Sequence, residues 1–174
     1  MTLISYIMLT MALSITAEIF CGSVGLLLPL PALFVFYFSA VENWPLGVLT
    51  GAVAGTVIDV LYARDFLYTP FLMALAASAG SFWISRSESK SIALHCLPGA
   101  LIAAIYCAPL FFSALSASRF SFYSVFHAFS GIVFGIIISA LALPLIVICM
   151  DLLGETMGFR LYRNARDKTQ PLKG

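Results

Sequence analysis

The chain has 174 residues, of which 61% are hydrophobic and only 10% are charged. Its mean hydropathy is +1.03, and nine basic residues against eight acidic ones leave a net charge of +1. That usage excludes an ordinary soluble domain, whose helices need polar outer faces, and the near-neutral charge argues against nucleic acid as a partner.

The uncharged runs are long: 19–41, 66–85, 92–118 and 120–150. A helix needs about 20 mostly apolar residues to cross a bilayer. The expectation is therefore an all-α integral membrane protein, with one polytopic domain over 1–158 and a short basic tail over 159–174. Charge, Pro and Gly punctuate the chain into six segments, near 3–28, 31–43, 46–63, 66–85, 92–117 and 122–153.

The first segment, "MTLISYIMLTMALSITAEIF", has no basic region before its apolar run, because the first Lys or Arg is Arg64. It is expected to be a retained span rather than a cleaved signal. It carries Glu18, an acid well inside an apolar run. The second and third segments follow "LPLP" and "NWPLG", where proline breaks the helix. A helix over 31–43 rises only about 20 Å, against a hydrocarbon thickness of about 30 Å. Both short segments are expected to be tilted, re-entrant or shielded by longer spans, either as an irregular fold element or as a transporter site.

The third segment holds "GVLTGAVAGTVID", in which Gly47, Gly51, Gly55 and Asp59 fall four apart on one helix face. Small residues at this spacing let two helix backbones approach within lipid. The stripe predicts a seam, filled either by the chain's own helices or by a helix of another protein. "GIVFGIIIS" sets Gly131, Gly135 and Ser139 on one face of the last span, and contact between the two stripes is one option. A charge at the bilayer centre costs roughly 2.5–3.5 kcal/mol on insertion scales. Two readings of Asp59 stay open: a helix-end acid about one turn from Arg64, or half of a two-carboxylate site with Glu18.

Six spans put the loop "SRSESKS" and the tail on the side of the N-terminus. That side then collects Arg86, Lys90, Arg160, Arg163, Arg166, Lys168 and Lys173, against Arg64 and Arg119 opposite. The asymmetry predicts cytoplasmic termini. The tail is suited to anionic headgroups. Asp151 and Glu155, one turn apart, form an acidic step where the last span leaves the bilayer. Cys21, Cys96, Cys107 and Cys149 lack metal or redox spacing and are expected to be small buried hydrophobes. His95 and His127 lie in different segments without ligand neighbours and are expected in polar packing or at the membrane interface. No nucleophile motif, phosphate loop or zinc motif appears, so neither catalysis, a cofactor nor a metal is expected.

The order of these features resembles the bacterial rod shape-determining protein family MreD. The likeness in layout spans nearly the full chain, and its residue-level part runs over 29–75. It is carried by "LLLPLPALFVFYFSAV" and "WPLGVLTGAVAGTVIDVLYARDFLYTPFLMAL", centred on Pro31, Gly51, Gly55 and Asp59. Two departures stand out: Ala32 where members often carry an acid, and "RDFLYTPF" where they often carry a Pro-Leu-Gly turn. The resemblance implies a six-helix fold similar to the substrate-binding components of energy-coupling-factor transporters. It also implies an inner-membrane, non-enzymatic scaffold of the cell-elongation machinery, partnered with MreC and linked to MreB and lateral peptidoglycan synthesis.

A rival of another class shares that fold: a substrate-binding component of a vitamin or small-molecule transporter. Such a component generally needs a polar, aromatic-lined pocket near the outer face and a small-residue face on its first span. Here Ala12, Ala17 and Gly22 give no clean four-residue repeat, and Trp44 falls on the cytoplasmic side of the six-span arrangement. Proton-coupled carriers using Glu18 and Asp59 remain a third class.

Overall fold

A computed structural model describes residues 3–24, 26, 28–64, 66–86, 92–117, 122–159, 162, 164 and 165. Its described helices are α1 (Leu3–Ser23), α2 (Leu30–Val41), α3 (Trp44–Leu61), α4 (Thr69–Arg86), α5 (Cys96–Ala117) and α6 (Phe122–Met157), with a short 3₁₀ turn over Ile92–His95 before α5. By length and composition, three are apolar enough to cross a membrane: α1, α3 and the Phe129–Met157 part of α6. The boundaries follow local signals. Pro31 sits in the first turn of α2 and Pro45 in that of α3, where a missing N–H costs nothing.

The 12-residue α2 is apolar all round, and such a helix belongs in an interior. It packs against α1, α3, α4, α5 and α6, and its Leu33, Val35 and Phe36 are completely buried. At about 18 Å it is too short to cross hydrocarbon by itself. Of the expected options it is the shielded one. The third segment has the expected 18 residues but is shifted two positions toward the N-terminus, from Trp44 to Leu61. The 36 residues of α6 make a rod of about 54 Å, so this helix overruns an apolar layer of about 30 Å.

Close approach between α2, α3 and α4 rests on missing side chains. A Cβ on Gly55 would come 2.6 Å from the Pro70 nitrogen, and one on Gly80 would strike the Phe36 carbonyl oxygen. The Ser39 hydroxyl bridges the same crossing by donating to the Ala77 carbonyl at 2.6 Å. The outside is as greasy as the inside. Phe20, Phe66, Phe71 and Leu145 are all well exposed, as expected where lipid is the solvent.

Two helix ends share one device. At α3, Arg64 N–H bonds to the Asp59 carbonyl and Ala63 N–H to the Val60 carbonyl; at α6, Phe159 bonds to Gly154 and Gly158 to Glu155. This paired pattern closes a helix when the residue after the cap is left-handed. Gly158 takes φ +71° without strain, whereas Ala63 takes φ 47°, where a Cβ is disfavoured. The α3 closure folds Arg64 back over Asp59. The α6 closure turns the chain toward Phe159 and Tyr162.

Candidate functional site

At the α3–α4 turn, Asp59 is completely buried but fully engaged. Its Oδ1 accepts from Arg64 Nη1 at 2.8 Å and from the Thr69 hydroxyl, and its Oδ2 accepts from the Thr69 N–H at 2.9 Å. Thr69 opens α4, so the carboxylate satisfies one of the unpaired amides of that helix start. Arg64 also donates to Thr69 Oγ1 at 2.6 Å and lies over the rings of Tyr62 and Tyr68, at 5.0 and 4.7 Å. Burial works against the Arg64 charge, yet the bond to Asp59 holds its guanidinium above the ordinary value. Burial also raises the Tyr68 phenol, which stays neutral beside it. The group staples the end of α3 to the start of α4.

Glu18 lies close by on α1 and is 8% exposed. Its Oε1 accepts from the Tyr106 hydroxyl of α5 at 2.8 Å, while its Oε2 has no hydrogen-bond partner among the described residues. Glu18 and Arg64 line one cavity of about 470 Å³, with Tyr62 and Tyr106 also in its wall. The two carboxylates therefore do not share a hydrogen bond; each has its own partners, and Arg64 belongs to the surroundings of both. Asp59 combines the helix-end position expected for it with complete burial.

The glycine stripe faces inward. Gly47 abuts Ser39 of α2, Gly51 abuts Met73 and Val35, and Gly55 abuts Thr69 and Pro70. This face is occupied by the chain's own α2 and α4, which leaves no place on it for a helix of another protein. In α6, Ser139 is buried and its carbonyl faces Gly99 of α5, Gly135 is buried, and a Cβ on Gly131 would meet nothing within 4 Å among the described residues. The two stripes do not meet, since α3 and α6 have no contact among the described residues.

The opposite end carries a second polar group. Asp151 Oδ1 accepts from the Tyr37 hydroxyl and from the Tyr162 N–H, both at 2.8 Å. His95 packs edge-on to Tyr162 and Trp83, an aromatic setting that fits polar packing. Asp151 is thus an internal anchor rather than only an interfacial step, while Glu155 stays exposed. The cysteine expectation needs correction: Cys107 is buried, Cys21 and Cys96 are half-buried, and Cys149 faces outward on α6, where a thiol is apolar enough for lipid contact. The His127 side chain, Lys90, Arg119, Arg160, Arg163 and the tail beyond 165 lie outside the described residues.

Sequence reasoning missed Tyr106, Thr69, Tyr62 and Tyr37. Thr69 had a local signal, a threonine just before Pro70 at a helix start. Tyr106 had none, being 88 residues from its partner. Between α1 and α3 a third feature opens, an apolar groove of about 510 Å³ lined by Met8, Met11, Ile15, Leu49, Val53 and Val57. Comparisons with family models, with curated proteins and with solved structures each found no match.

Proposed function

We propose that this chain is a non-enzymatic scaffold of the bacterial cell-elongation machinery. It sits in the inner membrane as six spans with both termini in the cytoplasm, on the energy-coupling-factor component fold. It works through helix contacts with MreC and other membrane proteins of that complex. The observation that carries this reading is the groove between α1 and α3. Its walls are almost wholly apolar, and Met8, Leu49 and Val53 stand exposed along it. With the glycine seam taken up internally, this groove is where a partner's membrane helix fits. Methionine lining suits such a site because the unbranched side chain adapts to its occupant.

The test has two parts. Depletion in the native host, followed by microscopy of cell width and new-wall labelling, should turn rods into spheres with lateral synthesis lost. A photo-crosslinking residue at Leu49 should trap a partner membrane protein, whereas one at Leu141, exposed on α6, should not. Unchanged cell shape, or equal adducts from both positions, would overturn the reading.

A second reading is favoured by one observation. In the six-span arrangement the Glu18–Arg64 cavity lies toward the outer end of the bundle, the side on which the rival transport component is expected to hold its polar, aromatic-lined pocket. Depleted cells that keep their shape but grow only with an added vitamin would select it.

A further inference from the structure

Glu18 lines a cavity between α1, α5 and the turn after α3. Its volume of about 470 Å³ lies within the range of small-molecule sites and far exceeds what a single ion fills. Glu18 is four residues from Gly22, so both lie on one face of α1, and both line this cavity. Glu18 also stands only five residues before the end of α1 at Ser23. That is about 8 Å of helix, as far as Glu18 lies from the helix midpoint at Leu13, so it sits in the half of the span nearer the headgroups.

Charge decides the class of occupant. Arg64 is paired with Asp59 at 2.8 Å, so Glu18 is the carboxylate of the cavity wall without an ion-pair contact among the described residues. A buried carboxylate oxygen without a partner is costly, and Glu18 Oε2 has none. The terminal torsion of a glutamate is soft, so a small rotation brings that oxygen to an occupant of the cavity. Glu18, Tyr62 and Tyr106 all line the cavity, and the carboxylate and the two hydroxyl oxygens are side-chain acceptors. An ammonium group carries three N–H donors and one positive charge. Ile19 and Leu26 supply apolar wall for the short hydrocarbon stem behind it.

We propose that this cavity binds a primary ammonium group, with Glu18 as its counter-ion and Tyr62 and Tyr106 as its further acceptors. The same group is presented by a free small amine and by the headgroup of phosphatidylethanolamine. The assignment is independent of the elongation role. A trimethylammonium group has no N–H to offer these acceptors and should bind weakly.

The test uses the full chain in nanodiscs, with thermal unfolding followed by intrinsic fluorescence. In phosphatidylcholine discs, added ethanolamine should raise the unfolding temperature with increasing concentration, while choline should not. Replacing the discs by phosphatidylethanolamine, with no soluble amine, reads the lipid source; a rise only there assigns the site to the headgroup. Glu18→Gln keeps an acceptor for Tyr106 but removes the charge, and should weaken the apparent affinity at least tenfold. Gly22→Leu keeps the carboxylate and fills the cavity, since a Cβ there meets Tyr62 Oη at an ordinary 3.4 Å. It should abolish the effect in a folded protein. Stabilisation by neither source in the unsubstituted protein, or an equal rise in Glu18→Gln or Gly22→Leu, would overturn the proposal.

Discussion

Removing the Asp59 carboxylate tests whether the α3–α4 staple holds the fold. Asp59→Ala removes the acceptor of three donors at once: the Thr69 hydroxyl, the Thr69 backbone N–H and the Arg64 guanidinium, which keeps only Thr69 Oγ1. The Arg64 side chain is 18% exposed, so water restores only part of its solvation. Breaking a buried ion pair by removing one member costs about 3–5 kcal/mol. Asp59→Asn keeps the volume and one acceptor oxygen but loses the charge, so about 1.5–3 kcal/mol is expected, the scale of a hydrogen bond to an ionised group. Reversible unfolding in mixed micelles reads both values. A cycle with Arg64→Met isolates the pair, because Arg64 has no other carboxylate bond among the described residues. Its coupling energy should lie near 2 kcal/mol, within the range for contacting residues. Loss of under 1 kcal/mol in Asp59→Ala, or strict additivity in the cycle, would mean that the close geometry contributes nothing to stability.

Three further outcomes follow from packing and backbone geometry. Gly55→Ala should destabilise by about 1–3 kcal/mol through overpacking against the Pro70 backbone, whereas Gly131→Ala, whose Cβ meets nothing within 4 Å among the described residues, should be neutral or gain up to about 1 kcal/mol of helix propensity; equal effects in unfolding titrations would contradict the seam. Ala63→Gly should stabilise by about 0.5–1 kcal/mol, since relief of left-handed strain of about 1–2 kcal/mol outweighs the glycine entropy cost; a fall in the unfolding midpoint would refute the strained closure of α3. Tyr162→Ala should remove the ring contacts with His95 and Tyr37, leaving only the backbone N–H bond to Asp151, and so speed tryptic cleavage near Arg163; unchanged cleavage kinetics would show that the aromatic anchor does not hold the chain.

The chain itself determined the features set by local chemistry. Long uncharged runs predict apolar helices because backbone amides buried in lipid must pair within the segment. Four-residue spacing put Gly47, Gly51 and Gly55 on one face, and the seam they form is visible in the sequence before any partner is known. Asp59, Arg64 and Thr69 lie within 11 positions, so their meeting needs only a tight helix end and a short turn.

The tertiary structure alone decided which surfaces face each other. Hydrophobicity cannot sort inside from outside in a chain whose solvent is as apolar as its core. Phe36 is completely buried and Phe71 well exposed, though the two residues have the same side chain. For the same reason nothing local chose the five helices that surround α2, paired Glu18 with Tyr106, or brought Asp151 to Tyr37 and Tyr162. Those choices depend on side chains far apart in sequence that only packing brings together.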